Sequence, residues 1–384
     1  MTNFTFLTAI VYLKDLHLLN FKNYTEANIA FSSGVNCIVG KNGSGKTNLL
    51  DAVHYLSACK SYFNTIDSQN IKKEEGFFVV QGGFDTDAEL GEEIYCGIKK
   101  GEKKIFKRNK KEYTRFSEHI GLIPIVMISP YDSELIYDGS EVRRKFVDAV
   151  ISQYNRTYLE TLINYNKILQ QRNALLKNMG ETGNYDKESL EVWDFQLANY
   201  GEIIYNERKL FIEKFVPIFA TIFPSLISVN ENAAINYISH LNSEHSFEDL
   251  LKSSYQRDAY LEHTSVGIHK DDFEFLLNDF SLKKFASQGQ QKTFLLALKL
   301  AQFNLIKDVK QITPILLLDD IYDKLDEERA KNLMNLVAGK EFGQIFITDA
   351  HPTRLYKLFE DKAKEIRIFM VESGEIKELN PAKA

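Results

Sequence analysis

The chain has 384 residues, enough to bury a full hydrophobic core without disulfide or metal support. Apolar residues make up 44% and charged residues 26%, and Gly (20) with Pro (7) is too sparse for a disordered or collagen-like chain. The formal net charge of −6 removes a globally basic surface as a route to nucleic acid and leaves only local patches. Cys37, Cys59 and Cys96 have no metal-ligand spacing, and an odd count suits a reducing compartment. No apolar run reaches the ~18–20 residues of a membrane-spanning helix, and no charged n-region precedes Lys14. The expectation is a cytoplasmic protein with no membrane partner. Residues 1–10 carry no pattern and read either as a tail or as an upstream start.

In chain order, residues 13–19 and 27–31 alternate with rough period two, and 35–39 is a short buried strand. Residues 40–47 break the pattern, and 48–57 continue as an apolar helix. Strands are predicted over 77–84, 94–99, 104–108 and 123–128. From Ser140 the period lengthens: Val142, Phe146, Val150, Tyr154 and Tyr158 recur every four residues, predicting a helix that runs to about Met179. After a turn at 180–184, a second long helix starts at Glu188 and carries Trp193, Leu197, Tyr200, Ile204 and Phe211 on one face. A strand is predicted near 233–239. Alternating strands and helices return after residue 264: strand 273–277, helix 288–306, strand 315–318, helix 327–337 and strand 344–348. The fold class is α/β. A head built from both chain ends (1–149 and 263–384) carries an inserted, mostly helical lobe at 150–262.

Gly40-Lys41-Asn42-Gly43-Ser44-Gly45-Lys46-Thr47 matches G-x-x-x-x-G-K-[ST] at every position. Gly40 and Gly45 free the backbone to wrap a phosphate, and the helix that follows offers its positive end. Lys46 reaches the β- and γ-phosphates, and the Thr47 hydroxyl is placed for Mg²⁺. A Gly-rich turn matching by chance would lack the strand before and the helix after. The motif therefore predicts ATP and Mg²⁺ as ligands.

Such a site needs an acidic residue at the end of a buried strand. Ile315-Leu316-Leu317-Leu318-Asp319-Asp320 supplies it, with Asp319 for the metal and Asp320 to polarise the attacking water. Two aspartates that merely cap a core strand are the alternative. Lys46 and Asp319 stand 273 residues apart, so a large insertion separates the halves of one site. Between them, Phe285-Ala286-Ser287-Gln288-Gly289-Gln290-Gln291-Lys292 opens a helix. Ser287, Gly289 and Gln290 resemble the signature loop of ABC-type ATPases, although a plain helix cap is the commoner meaning of such a segment.

With these motifs assembled, the chain resembles the RecF family of ABC/SMC-like ATPases from about Tyr12 onward. The resemblance includes Asn20-Phe21-Lys22-Asn23-Tyr24, Ser129-Pro130, Arg143-Arg144-Lys145-Phe146-Val147-Asp148 and Gly267-Ile268-His269-Lys270-Asp271-Asp272. It implies an ATP-dependent homodimer that binds duplex DNA or duplex–single-strand junctions. It also implies partners RecR and RecO, loading of the RecA recombinase at gaps, and slow ATP hydrolysis that works as a timer. In that superfamily the signature loop reaches the nucleotide of the other protomer, and Asp323-Lys324-Leu325-Asp326 falls where the D-loop lies. The chain departs from the pattern at Phe63, where relatives often carry arginine, at Tyr131, where an acid is usual, and at Ile268, where proline is usual. Asp349 stands in the place of the switch histidine, leaving His351 as a candidate two residues later.

For DNA, the densest basic stretch holds Lys99, Lys100, Lys103, Lys104, Lys107, Arg108, Lys110 and Lys111 against Glu102, with Phe106 among them. A solvated hairpin whose lysines guard a sheet edge reads equally well. Arg143, Arg144 and Lys145 form a second patch that either meets DNA or orders the lobe. His269 with Asp271 and Asp272 reads as a structural loop in preference to a metal site. Other ABC-type assignments fit less well. A transporter subunit leaves the lobe unexplained, an overcoming-lysogenization nuclease needs a further acidic domain, and chromosome-organising ATPases need far longer arms. An ATP-binding scaffold with little turnover stays open, because Asp320 has a shorter reach than the usual glutamate.

Overall fold

The computed structural model describes residues 9–86, 91–183, 187–227, 231–320, 333, 337, 339, 341–350 and 365–379. The chain divides into two compact units: Met1–Asp132 with Ser225–Ser228 and Lys292–Ala384, and Ser133–Pro224 with Val229–Gln291.

The first unit begins with a hairpin of β1 (Ala9–Phe21) and β2 (Tyr24–Ala30), closed by Phe21 opposite Tyr24. β3 (Val35–Val39), buried at every residue, leads through the glycine-rich loop into α1 (Lys46–Ala58). β4 (Phe77–Thr86), β5 (Glu92–Lys99), β6 (Ile105–Arg108) and β7 (Lys111–Glu112) continue from β1 as an antiparallel meander. β8 (Ile125–Ile128) is again fully buried.

The second unit contains α2 (Glu134–Tyr137), α3 (Ser140–Tyr154), α4 (Arg156–Thr182) and α5 (Lys187–Ile222). These are followed by β9 (Ala233–Ile238), α6 (Phe247–Leu261), β10 (Asp272–Leu277), β11 (Phe280–Ser281) and α7 (Leu282–Phe285). The helix predicted to run unbroken through Tyr154 and Tyr158 stops at Asn155. Its backbone is extended, and its side chain accepts the Tyr158 amide at 2.9 Å, capping α4. Burial on α3 accordingly falls on Val147, Val150 and Ile151, so that of the four-residue stripe on this helix only Val150 is buried.

Two fully buried guanidinium groups tie this unit together. Arg172 on α4 bonds Asp194 on α5 at 2.5 Å and Asp258 on α6 at 2.7 Å. Arg208 on α5 bonds Asp148 on α3 at 2.9 Å and Asp271 at 2.8 Å. Charges this far from water persist because each is paired and hydrogen-bonded.

The unit extends beyond the 150–262 expected from sequence, starting at Ser133 and including 263–291. The cause is long-range pairing. β10 pairs antiparallel with β9, and Arg143 forks onto both carboxylate oxygens of Asp272 at 2.7 and 3.0 Å. Arg144 donates to the Asp271 carbonyl at 2.6 Å, so both arginines order the lobe, while Lys145 pairs on the surface with Glu141. His269 contacts the Tyr165 hydroxyl at 2.7 Å and the Thr264 carbonyl at 3.1 Å. No acidic, histidine or cysteine cluster among the described residues could hold a metal.

The chain continues through α8 (Gln288–Lys310), β12 (Ile312–Thr313) beside β1, β13 (Ile315–Leu318), β14 (Ile345–Asp349), β15 (Ile366–Glu372) and β16 (Glu375–Leu379). The second sheet of the first unit runs β16-β15-β3-β14-β13-β8, parallel apart from the β15–β16 hairpin. β3, β14 and β13 at its centre are buried at every residue and mostly apolar, as parallel strands covered on both faces must be. α1 packs against β1, β4 and β5 of one sheet and against β8 and β14 of the other, and nine of its 13 residues are buried. Phe31 joins the layers, meeting Phe346 and Phe369 edge to face at 4.8 and 5.5 Å.

The β15–β16 hairpin was not among the predicted elements. The predicted D-loop (Asp323 to Asp326) and His351 lie outside the described residues, as does most of the helix predicted over 327–337. Among the described residues, no helix is long and apolar enough to cross a membrane.

Candidate nucleotide-binding site

The loop from Gly40 to Thr47 follows from local conformation. Gly40, Gly43 and Gly45 take φ values of +155°, +80° and +121°. A Cβ on Gly40 would lie 2.3 Å from the Val371 carbonyl, and one on Gly45 would lie 2.4 Å from Nδ2 of Asn23. Positive φ and close approach thus both require glycine there.

Lys46 is only 3% exposed, and its Nζ donates to the carbonyls of Gly40 at 2.9 Å and Lys41 at 3.3 Å and to Oδ1 of Asn42 at 3.5 Å. Among the described residues it has no carboxylate partner. The Ser44 hydroxyl is buried without a hydrogen-bond partner among the described residues. A buried cation with only neutral oxygens around it, beside an unused hydroxyl and a helix N-terminus, fits a phosphate.

β13 lies between β8 and β14, with the Asp319 amide bonded to the Ile128 carbonyl at 2.9 Å. This brings Asp319 onto Thr47, whose hydroxyl donates to Oδ1 at 2.9 Å and lies 3.2 Å from Oδ2. Burial pushes the Asp319 carboxyl up to about 6, against the opposing pull of the Thr47 and Thr348 hydroxyls. A carboxylate held ionised at a cost, with a hydroxyl beside it, suits a hard divalent cation such as Mg²⁺. Asp320 follows at φ +43°. Thr348, at the end of β14, links the two acids. Its Oγ1 accepts the Asp320 amide at 2.8 Å and lies 2.9 Å from Asp319 Oδ1 and 3.5 Å from Asp320 Oδ1. Sequence reasoning used Thr348 only as a strand end. Its one local signal is a hydroxyl directly after the apolar run Ile345-Phe346-Ile347.

The structure therefore brings Gly40, Lys41, Asn42, Gly43, Ser44, Gly45, Lys46, Thr47, Asp319 and Asp320 together in the first unit. Ser287, Gly289 and Gln290 lie in the second unit, at the start of α8. There the Ser287 amide donates to Oε1 of Gln290 at 2.7 Å, and the Gln290 amide donates to the Ser287 hydroxyl at 3.3 Å. This reciprocal box satisfies two helix-end groups. Ser287 itself is exposed.

The basic hairpin resolves into two classes of side chain. Lys104 is drawn into the fold, bonding the Cys59 carbonyl at 2.7 Å and Asp67 at 2.8 Å. Arg108 pairs with Glu92, and Lys107 lies over the Tyr95 ring at 5.6 Å. Phe106 belongs to the core. Lys99 pairs with Glu102 on the surface, and Lys100, Lys103, Lys110 and Lys111 are exposed. Phe63 and Tyr131, two of the departures from the family pattern, meet edge to face at 5.1 Å.

Residues 12–377 match the family model of the RecF/RecN/SMC N-terminal domain. The DNA replication and repair protein RecF of Bacteroides thetaiotaomicron is 50% identical over 96% of this chain and 98% of its own length. That of Phocaeicola vulgatus is 50% identical over 95% and 98%. A solved structure of the recombination mediator protein RecF with ATP, in the RecFOR pathway, superposes with a TM-score of 0.88 at 30% identity, covering 99% of this chain and all of its own. The chain belongs to the RecF family.

Proposed function

We propose that this chain is an ATP-dependent DNA-binding protein of recombinational repair and replication restart, acting in the RecFOR pathway and helping to load RecA at gaps. The observation that carries the reading is the 2.9 Å bond between Thr47 and Asp319, which joins two motifs 272 residues apart into one nucleotide site. RecR and RecO are the expected partners.

The amides of 43–47 and the Lys46 ammonium hold the nucleotide phosphates, Lys46 leaving the loop carbonyls for them. Thr47 and Asp319 would hold Mg²⁺, which when bound neutralises charge across the phosphates. Asp320 takes the proton of the attacking water as general base, and Thr348 holds its orientation. Turnover is slow and serves as a timer. Ser287, Gly289 and Gln290 meet the nucleotide of a second copy, so ATP gates a homodimer. Duplex or gapped DNA binds through phosphates, with the exposed hairpin lysines as contacts.

The test is the mass in solution with and without Mg-ATP, repeated with gapped duplex DNA at two salt concentrations. The expected result is a shift from ~44 to ~88 kDa on adding Mg-ATP, as for a closed two-fold dimer, and salt-sensitive retention of DNA. Ser287→Arg should leave ATP binding intact and abolish the dimer. A monomer indifferent to both ligands, or dimers that survive the substitution, would count against the proposal.

A further inference from the structure

Loop amides can point at a phosphate only if the neighbouring carbonyls turn the other way. Turned into protein, those carbonyls are costly unless a donor meets them. The Ser44 carbonyl has two such donors, from opposite ends of the chain. Nδ2 of Asn23, in the turn between β1 and β2, donates at 2.8 Å, and the amide of Gly374, in the turn between β15 and β16, donates at 3.2 Å. The next carbonyl, that of Gly45, accepts from the Tyr24 hydroxyl at 2.8 Å.

The Asn23 amide is held in the orientation this needs. Its Oδ1 accepts from Nδ2 of Asn48, in the first turn of α1, at 2.7 Å, which leaves Nδ2 facing Ser44. The β1–β2 turn is anchored on α1 a second time, by Lys22 on the buried Asp51 at 2.6 Å. Gly374 is fixed in turn. It sits at φ +86°, and a Cβ there would lie 2.5 Å from the Asn23 carbonyl. The two turns therefore press on each other as well as on the loop.

We infer that Asn23 and the Ser373–Gly374 turn form a clamp on the Ser44 carbonyl, and that this clamp sets the affinity of the phosphate loop. Both are positioning residues, acting through the loop backbone. The inference rests on the nucleotide-binding reading above. It has a reciprocal consequence: a clamp that favours nucleotide must itself be favoured by nucleotide. The β15–β16 hairpin should open less often when the site is filled.

The test compares wild type, Asn23→Asp and Gly374→Ala, using a fluorescent ATP analogue with Mg²⁺ for affinity and steady-state hydrolysis for KM and kcat. Asn23→Asp keeps the size of the side chain and an acceptor for Asn48, but it replaces the donor to Ser44 with a negative charge, so the uncharged Gly374→Ala variant is the arm that separates loss of the clamp from charge repulsion. The expected result is affinity weaker by ~10-fold, with KM raised and kcat within ~2-fold, the pattern of lost uniform binding. Gly374→Ala should weaken binding comparably, and the double variant should lose less than the product of the two, since both act on one oxygen.

Hydrogen exchange on wild type needs no variant: Mg-ATP should slow the amides of 374–379. If wild type binds the analogue while Asn23→Asp binds within ~2-fold of it, the clamp is overturned. Hairpin exchange that ignores Mg-ATP would overturn it equally. Wild type that fails to bind would overturn the nucleotide reading, and the clamp with it.

Discussion

Gln344 satisfies both backbone groups of Leu13, its Oε1 accepting the amide at 2.8 Å and its Nε2 donating to the carbonyl at 2.7 Å. The same Nε2 lies 2.8 Å from the Ser32 carbonyl. β2 stops pairing with β1 at Asp15, and beyond that point the Gln344 carboxamide stands in for the missing strand. Gln344→Ala would strand both backbone groups of Leu13, while the Ser32 carbonyl keeps the Asn36 amide at 2.8 Å, and should cost about 2 kcal/mol of stability. Urea unfolding measures it, and a loss under about 1 kcal/mol would mean that water replaces the side chain.

Asp320→Asn should lower ATP hydrolysis by ~10²-fold and leave ATP affinity unchanged, the size expected for a lost general base. Single-turnover hydrolysis with a parallel binding measurement separates the two. Unchanged hydrolysis would end the general-base assignment and favour an ATP-binding scaffold.

Replacing Lys100, Lys103, Lys110 and Lys111 together by Gln should flatten the salt dependence of DNA binding. If all four contact phosphates, the log–log slope drops by up to ~3.6. Lys104→Gln should instead lower thermal stability and leave that slope alone, because its ammonium is committed to Asp67 and Cys59. An unchanged slope in the quadruple variant would remove the hairpin from the DNA surface.

His119 and His269 should make the fold acid-sensitive. Burial lowers each to about 4 from an ordinary value of 6.5. His119 contacts the Leu56 carbonyl through Nε2 at 2.7 Å and the Tyr113 hydroxyl through Nδ1 at 3.1 Å, an arrangement that suits the neutral ring. The unfolded chain binds protons in this window that the folded one refuses, so stability falls as pH drops from 6.5 towards 4. Each ring contributes about 1.4 kcal/mol per pH unit there. Urea midpoints at pH 7.5 and 5 should show the loss, and His119→Gln should reduce it without abolishing it, since His269 keeps its share. A variant with the wild-type pH profile would exclude His119 as a source.

What the sequence disclosed followed the range of each interaction. The Gly40–Thr47 loop and the strand ending at Asp319 were readable because spacing and apolar runs encode them locally, and β3 and β13 fall where predicted. The break at Asn155 was missed because a four-residue stripe continues across it, although an Asn three residues before Tyr158 is a capping signal. Arg143 read equally as a DNA contact or as a residue ordering the lobe, and what decides it, Asp272, is 129 residues away. Phe106 sat among lysines in sequence and inside the core in space. The Asn23–Ser44–Gly374 contact has no local signature, since the β15–β16 hairpin closes on a loop made from the other end of the chain.

The order of the parallel sheet bears on how the protein is made. β3, which carries the phosphate loop, has β14 and β15 as its neighbours, and both are synthesised more than 300 residues later. A nascent chain on the ribosome can complete its β1–β5 meander early. It must hold the loop strand unpaired until Asp349 has emerged, and paired on one side only until β15 follows. Fragments ending before Ile345 lack both neighbours of that strand and should capture no ATP, so nucleotide competence waits for strands made more than 300 residues after β3.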